Sequence, residues 1–229
     1  MNKEKILSRL KKGLIVSCQA LENEPLHSSF IMSRMAYAAC VGGASGIRSN
    51  SAEDVRAIKE LVDLPVIGIK KNCYPGCDVF ITPTMREIDE MAVSGAEIIA
   101  FDATKRERPD GRDIGDLYRE VRSKYPDLLF MADISDYEEG KKAYDLGFDL
   151  ISTTLCSYTA YTAGQQLPNY DLISRLSELP GIVLVAEGGI WTPDELKHVL
   201  DLGAYAAVVG TAITRPREIT KRFVDAINS

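Results

Sequence analysis

Apolar runs of strand length alternate with amphipathic stretches along the whole chain. The runs are continuous rather than alternating, which is typical of parallel strands whose two faces are both covered. Eight of them predict strands at 14–20, 44–49, 65–71, 97–104, 128–135, 148–154, 182–189 and 206–213. The amphipathic stretches between these runs predict helices.

Cap residues mark the ends of several predicted helices. Thr192 followed by Pro193 predicts the start of a helix, and Gly203 predicts its end directly before a strand. Ser51 with Asp54 three positions later resembles a capping box in which Asp replaces the usual Glu. The helix-like stretches therefore have defined ends, and strand and helix alternate.

Eight strand–helix units in 229 residues predict a single (β/α)8 TIM barrel over residues 1–229, with a short N-terminal helix. A doubly wound open sheet is the alternative. It is less favoured because no glycine-rich dinucleotide turn follows the first strand. Long connections at 72–84 and 157–170 follow strands three and six, and a barrel places both at its C-terminal face, where active sites are built.

Charge and hydropathy limit the partners. The net charge is −6 and the sequence pI is about 5.1, which disfavours nucleic acid because a duplex requires a basic surface. A phosphorylated metabolite needs only a few local donors and stays open. No run of 18 apolar residues occurs, so no membrane partner is expected.

The five cysteines are predicted to be reduced thiols, as in a cytoplasmic protein. Cys73 and Cys77 are spaced so that they could form a redox pair or half of a zinc site. The sequence holds no second pair to complete a metal site, so free thiols are the favoured interpretation.

Polar side chains follow nearly every predicted strand. In a parallel barrel these strand ends converge on one mouth, so a shared site is predicted there. A single polar residue at a strand end is ordinary, because strands commonly reach the surface there. Polar residues at nearly all eight strand ends are more than exposure to solvent alone would require. The strand-end set consists of Gln19, Arg48, Lys71, Asp102, Asp133, Thr153, Thr154, Glu187, Gly210 and Thr211.

Lys71 and Glu187 are the candidates for proton transfer. Lys71 ends a face of its strand that otherwise carries isoleucines, so lost hydration should lower its pKa and suit it to act as a base. Its neighbour Lys70 points the other way. Burial of Glu187 would raise its pKa, whereas pairing with Lys71 or Arg48 would lower it, and both alternatives remain open.

Glycines behind the last two strands predict an anion site. Gly188 and Gly189, with Gly210 and Thr211, lie where barrels commonly bind phosphate through backbone N–H groups. Arg215 could add a charged donor or could merely cap a helix.

A metal site is not predicted. His27 falls in a loop and His198 inside a helix, so neither joins the strand-end set. Trp191 more often packs than binds. Thr154 and Tyr158, at the end of strand six and in the long loop behind it, are candidate substrate contacts.

Several segments together resemble the N-acylglucosamine-6-phosphate 2-epimerases, also called N-acetylmannosamine-6-phosphate 2-epimerases. The similarity covers nearly the whole chain in order. Its most specific segments are QALENEPLHSS, DATKRERP and GTAITRPREIT, beside IGIKKNCYPG, MADIS and AEGGIWTPDEL.

The resemblance implies a TIM barrel that interconverts N-acetylmannosamine 6-phosphate and N-acetylglucosamine 6-phosphate in amino-sugar and sialic-acid breakdown, with no cofactor and no metal. The family's lysine and glutamate fall on Lys71 and Glu187, and its phosphate-side arginine on Arg215. Many relatives have arginine where this chain has Gly189, so only backbone donors are expected there. The sugar-contacting residues fall on Gln19, Arg48 and Asp133.

Two questions stay open at this level. Lys71 could remove and return the C2 proton alone, or share the task with Glu187 from the opposite face. Rival functions are a Schiff-base sugar-phosphate aldolase using Lys71, a metal-dependent pentose-phosphate epimerase, and a non-catalytic phosphosugar-binding barrel. A homodimer is plausible, although no interface can be named.

Overall fold

The computed structural model describes residues 2–228. In this part of the chain eight parallel strands close into a barrel, each paired with its neighbours in chain order. The strands are β1 (Leu14–Cys18), β2 (Gly46–Asn50), β3 (Val66–Ile69), β4 (Ile98–Asp102), β5 (Leu129–Asp133), β6 (Leu150–Ser152), β7 (Leu184–Glu187) and β8 (Ala206–Val209). Every predicted strand is confirmed, and the closed ring excludes the open sheet.

A helix precedes β1, and helices follow each strand. They are α1 (Lys3–Leu10), α2 (Ser29–Val41), α3 (Ala52–Lys59), α4 (Met85–Ala92), α5 (Ile114–Lys124), α6 (Tyr137–Leu146), α7 (Tyr170–Ser177), α8 (Pro193–Asp201), α9 (Thr211–Thr214) and α10 (Pro216–Asn228). None of those within residues 2–228 has the length and apolar character needed to cross a bilayer.

The helix caps follow the sequence signals with one difference. Thr192 and Glu195 form a complete capping box before α8, and Gly203 directly follows the α8 C-cap with a positive φ. Ser51 accepts the backbone N–H of Asp54, but the Asp54 carboxylate instead accepts the hydroxyl of Ser29 at 2.6 Å. The predicted capping box at Ser51 is therefore half formed, because aspartate is shorter than glutamate and has another partner.

The barrel has an inner and an outer apolar layer. Inside the ring, side chains from alternate positions of the strands stack on one another, among them Ile15, Ile67 and Val185. Ile6 and Leu10 of α1 belong to the same cluster, so α1 closes the N-terminal end of the barrel. Within residues 2–228 the interior side chains thus meet α1 at one end of the barrel, and the cavity described below opens at the other.

Ring closure depends on the pairing of the first strand with the last. Leu14, Ile15 and Val16 of β1 pair with Ala207, Val208 and Val209 of β8. This register brings the end of β1 next to the turn that begins at Gly210, where the Gly210 position would place a Cβ 3.2 Å from the Ser17 Cβ. The first and last strands thus meet at one side of the mouth.

Candidate active site

A cavity of about 490 Å³ occupies the C-terminal mouth of the barrel. Side chains and loops from β1, β2, β3, β6, β7 and β8 line it, as convergence of parallel strand ends requires. The predicted site residues among them are Gln19, Arg48, Lys71, Thr154, Tyr158, Glu187, Gly188, Gly189, Gly210, Thr211 and Arg215.

Lys71 stands where β3 turns into its long connection. Its backbone pairs antiparallel with Ile81, and its N–H donates to Asn50 Oδ1 at 2.8 Å. Burial, followed by repulsion from Arg48 and Arg215, lowers the pKa of Lys71 to about 8. Its ammonium forms no ion pair with any residue in 2–228, so a neutral amine is accessible near neutral pH.

Glu187 is the last residue of β7, and its side chain is 15% exposed. Its Oε2 accepts Arg48 Nη1 at 2.9 Å and the Thr154 hydroxyl at 3.0 Å. Burial raises the pKa of Glu187 and outweighs the opposing pull of Arg48, with the nearby Asp133 adding to the rise. The sequence left open whether burial or pairing dominates, and in the structure both operate, with burial the stronger.

Arg48 joins two carboxylates. It is almost fully buried and forms two hydrogen bonds to Asp133, from Nη1 to Oδ1 at 3.0 Å and from Nη2 to Oδ2 at 2.6 Å. Burial opposes the charge on Arg48, but Asp133 and Glu187 prevail and raise its pKa. The guanidinium is therefore a permanent positive charge at the floor of the cavity.

Asp133 does not line the cavity. It is completely buried beneath Arg48 and also accepts the Thr154 hydroxyl at 2.7 Å. This geometry does not favour the predicted contact of Asp133 with the sugar, because its carboxylate is fully buried and is occupied by Arg48 and Thr154. Two other strand-end residues, Asp102 and Thr153, also lie outside the lining.

The glycine turns form the wall beside β7 and β8. Gly188 and Gly189 have φ angles of +112° and +72°, which L side chains rarely adopt. A Cβ on Gly189 would lie 2.3 Å from Leu167 Cβ, so the connection between β6 and α7 packs directly on this turn. Backbone atoms rather than a side chain therefore face the cavity at this position.

Arg215 lies at the edge of the same wall, between α9 and α10. Its guanidinium lines the cavity and forms an ion pair with Glu24, with Nη1 2.7 Å from Oε1. Together with the two glycine turns, it provides one positive charge and several backbone donors on one side of the mouth. This arrangement suits an anionic group.

Several lining residues were not predicted. Ser17 accepts the Gln19 side-chain amide at 2.9 Å, and it lies two positions before Gln19, which directly follows β1, so period-two spacing could have identified it. Trp191, expected to pack, lines the cavity while Arg222 lies over its ring. Phe80 and Ile81 enter from the connection after β3, whose path the sequence did not indicate.

The histidines lie away from the cavity lining. His27 Nδ1 is 3.2 Å from the Ala20 carbonyl, and His198 packs edge-on against Tyr170. Within residues 2–228 no three His, Cys, Asp or Glu side chains are grouped to hold a metal ion. Cys73 and Cys77 are free in the structure.

A TIM barrel whose mouth combines a desolvated amine, a buried carboxyl group and an anion-binding wall belongs to the class of acid–base enzymes for small anionic substrates. A family model described as "Putative N-acetylmannosamine-6-phosphate epimerase" matches residues 32–229. The chain belongs to this family of 2-epimerases.

Individual relatives agree. A protein named "Putative N-acetylmannosamine-6-phosphate 2-epimerase" from Caldanaerobacter subterraneus is 55% identical over 222 residues, covering 97% of this chain and 94% of its own. One of the same name from Borreliella burgdorferi is 53% identical, covering 97% of each chain. The solved N-acetylmannosamine-6-phosphate 2-epimerase from Clostridium perfringens is 52% identical, with a TM-score of 0.92 over 96% of this chain and 95% of that one.

More distant structures show the fold alone. A thiamine phosphate pyrophosphorylase from Pyrococcus furiosus has a TM-score of 0.64 at 17% identity, covering 97% of this chain and all of that one. The family resemblance and the TIM barrel predicted from the sequence are confirmed, and neither the aldolase nor the non-catalytic barrel is favoured.

Proposed function

We propose that this chain interconverts N-acetylmannosamine 6-phosphate and N-acetylglucosamine 6-phosphate by moving the proton at C2. The observation that carries the proposal is the position of Lys71 and Glu187. They follow β3 and β7, which are opposite each other in a ring of eight strands. Their side chains thus approach a ligand in the mouth from opposite walls.

In the open-chain sugar C2 is bonded to the C1 aldehyde carbon, so its proton is acidic enough to be removed. In one direction the neutral amine of Lys71 takes this proton and becomes an ammonium, and the electron pair delocalises into the carbonyl as an enolate. The protonated carboxyl group of Glu187 then gives a proton to the opposite face of C2 and becomes a carboxylate. The reverse direction exchanges the two roles.

The pKa shifts suit this exchange. Burial moves the pKa of Lys71 down to about 8 and the pKa of Glu187 up, so the two groups come closer in acidity. Proton transfer between groups of similar pKa through a substrate has no large energy cost in either direction. Both shifts have the same physical cause, which is the loss of water around each group at the mouth.

Arg48 is the group best placed to stabilise the enolate. It is positively charged, fixed by two hydrogen bonds to Asp133, and lines the cavity next to Glu187. A preorganised donor of this kind contributes about 3 kcal/mol to transition-state stabilisation. In this proposal Asp133 acts through Arg48 and does not touch the sugar.

The phosphate binds to the wall formed by the two glycine turns and Arg215. Gly188, Gly189, Gly210 and Thr211 offer backbone N–H groups there, and the guanidinium adds a charge. Binding the phosphate at this side holds C2 between Lys71 and Glu187, so part of the entropy of orientation is spent before reaction. Contacts to the sugar itself are assigned to Gln19, Thr154 and Tyr158.

The function is tested by NMR of N-acetylmannosamine 6-phosphate in D₂O with the purified chain and no added metal. Deuterium at C2 of the new epimer, with no cleavage of carbon–carbon bonds, is the expected result. A covalent adduct on Lys71 after borohydride treatment, or cleavage products, would point to an aldolase instead. Binding without turnover would point to a non-catalytic barrel.

The roles of the two groups are separated by Glu187→Gln. The variant keeps Lys71, so it should exchange the C2 proton of one epimer with solvent while epimerisation stops. If instead the variant epimerises at a rate close to that of the wild type, Lys71 works from both faces and the two-base mechanism is wrong.

We also propose that the chain forms a homodimer through a second copy of itself. The helix α10 has no buried residue, and its apolar side chains Phe223 and Ile227 are 72% and 83% exposed on one face. Apolar area of this kind marks an interaction surface. Light scattering should give twice the mass of one chain, and Phe223→Lys with Ile227→Lys should give a monomer.

The cellular location and the absence of further partners are also proposals. The free thiols suit a reducing compartment, so the reaction is assigned to the cytoplasm and to amino-sugar and sialic-acid breakdown. No nucleic acid, membrane or cofactor is assigned. Turnover in buffer containing a metal chelator, equal to that without it, is the expected result for a metal-independent enzyme.

A further inference from the structure

Glu24 lies behind the wall that Arg215 forms at the edge of the active-site cavity. It belongs to the loop that joins β1 to α2, and its side chain is 13% exposed. Its Oε1 is 2.7 Å from Arg215 Nη1, and its Oε2 accepts Arg215 Nη2 at 3.3 Å and the backbone N–H of Leu21 at 2.7 Å. The carboxylate is therefore fixed by its own loop before it holds the guanidinium.

Glu24 does not line the active-site cavity. It faces a smaller, mostly apolar cavity of about 140 Å³ on the far side of Arg215, which Leu26 and Met32 also line. Its hydrogen bond to Arg215 is its link to that side of the cavity, and its charge also acts at a distance on Lys71, whose pKa it raises.

The charges around Arg215 make this contact consequential. Repulsion from Arg215 contributes, after burial and Arg48, to the lowered pKa of Lys71, and Arg217 Nη2 lies 3.9 Å from the Glu24 Oε1 that also contacts Arg215. Without a fixed counter-charge, the long and partly exposed side chain of Arg215 is expected to turn its guanidinium towards water. The ion pair with Glu24 opposes that movement.

The donors of Arg215 divide between two partners. A guanidinium carries five N–H donors; Nη2 of Arg215 donates to Glu24 Oε2, and Nη1 lies in ion-pair contact with Glu24 Oε1. The donors that Glu24 does not use can meet a phosphate from the cavity side.

We infer that Glu24 is the positioning residue of the phosphate site, which holds the Arg215 guanidinium against the cavity so that its free donors meet the substrate's phosphate. This inference rests on the proposed function, in which Arg215 binds the phosphate. It adds to the site a residue that is 191 positions away from Arg215 in the sequence.

The test is Glu24→Gln, which keeps the shape of the side chain and removes its charge. The KM for the sugar phosphate should rise about tenfold, the effect of one hydrogen bond to a charged group, while kcat falls much less. The Kd of inorganic phosphate, measured by calorimetry, should weaken by a similar factor. A merely structural role would lower the melting temperature without this division between KM and kcat.

Glu218→Gln is the matched control. Glu218 pairs with Arg217 and lines the same small cavity, but it makes no hydrogen bond to Arg215. Its loss should leave KM and the phosphate Kd unchanged. A double-mutant cycle adds the decisive comparison, since Glu24→Gln should change neither KM nor the phosphate Kd further once Arg215→Met has removed the group through which it positions the phosphate.

Three outcomes overturn the inference: an unchanged KM in Glu24→Gln, a lowered KM, which would mean that the carboxylate competes with phosphate, or a full effect that persists beside Arg215→Met. Failure of the proposed function looks different, because the wild-type chain would then show no turnover. The phosphate titrations of wild type and Glu24→Gln still test the role of Glu24 in that case.

Discussion

The guanidinium of Arg48 and the carboxylate of Asp133 form a two-point ion pair that is sealed inside the barrel, with side chains 1% and 0% exposed. A buried pair of this kind fixes a charge in place, but the loss of either partner leaves the other uncompensated. The pair thus fixes the charge of Arg48 in the site, and the loss of either partner is expected to destabilise the fold.

Asp133→Asn is expected to destabilise the fold by about 3 kcal/mol or more, because Arg48 would remain charged and buried with weaker partners. Urea unfolding measures the change. Asp145→Asn provides the control, since Asp145 pairs with Lys141 on the surface of α6 and its loss should cost less than about 1 kcal/mol. Equal stabilities of Asp133→Asn and the wild type would contradict the assignment.

Arg48 and Asp133 also show how much of the site could be predicted from the sequence. The convergence of parallel strand ends correctly predicted that Arg48, Lys71 and Glu187 lie at one mouth of the barrel, because a parallel barrel fixes which end of each strand carries the site. The depth of each side chain was not predictable in the same way. Asp133 ends β5 as Glu187 ends β7, yet only Glu187 lines the cavity, while Asp133 is fully buried in its pair with Arg48 of β2.

Loop residues were harder to predict than strand residues. Period-two spacing carries Ser17 and Gln19 into the cavity and could have been applied further. No local pattern indicates that Glu24 meets Arg215 or that Trp191 borders the site, because those contacts depend on how separate connections pack over the mouth. The limit lies in tertiary packing rather than in the periodicity of the chain.

Lys71→Met should abolish exchange at C2, with a loss in kcat of about a thousandfold or more if the amine is the base for that carbon. Lys70→Met is the control, since Lys70 is the adjacent lysine but pairs with Glu90 outside the cavity. Its variant should keep kcat and KM near those of the wild type. NMR in D₂O follows both, and an active Lys71→Met would remove the base from the mechanism.

The dependence of kcat/KM on pH should be bell-shaped. The two-base mechanism needs one proton shared between Lys71 and Glu187, so activity should fall above about pH 8, where Lys71 loses its proton in the free enzyme. On the acid side it should fall at a pH above the usual carboxyl range, because the pKa of Glu187 is raised.

The solvent exchange that persists in Glu187→Gln should respond differently to pH. Only neutral Lys71 acts there, so the rate should rise with pH and then level off. Its midpoint should lie below that of the wild type, because Glu187 no longer raises the pKa of Lys71. A wild-type profile that climbs through pH 8 without falling would instead indicate a single base.

Gly189→Ala should weaken both folding and phosphate binding. Its positive φ and the contact with Leu167 leave no room for a methyl group, so the turn and the connection after β6 must shift. Gly164→Ala is the control, because Gly164 also has a positive φ but its Cβ would meet nothing within 4 Å. The strain of about 1–2 kcal/mol is common to both variants.

Thermal unfolding and KM separate the two glycines. Only Gly189→Ala should raise the KM for the sugar phosphate, since only that turn faces the cavity. A KM that is the same in both variants would show that backbone groups at Gly189 are not part of the phosphate site.

The pairing of β1 with β8 has a consequence for the synthesis of the chain on the ribosome. Lys71, Arg48 and Glu187 all precede β8 in the chain, but Gly210, Thr211 and Arg215 of the proposed phosphate wall follow it. A nascent chain that stops short of residue 206 has its acid–base groups and no finished ring to hold them. Turnover is therefore expected only after β8 has paired with β1, so in a synthesis reaction the appearance of activity should report the closure of the barrel.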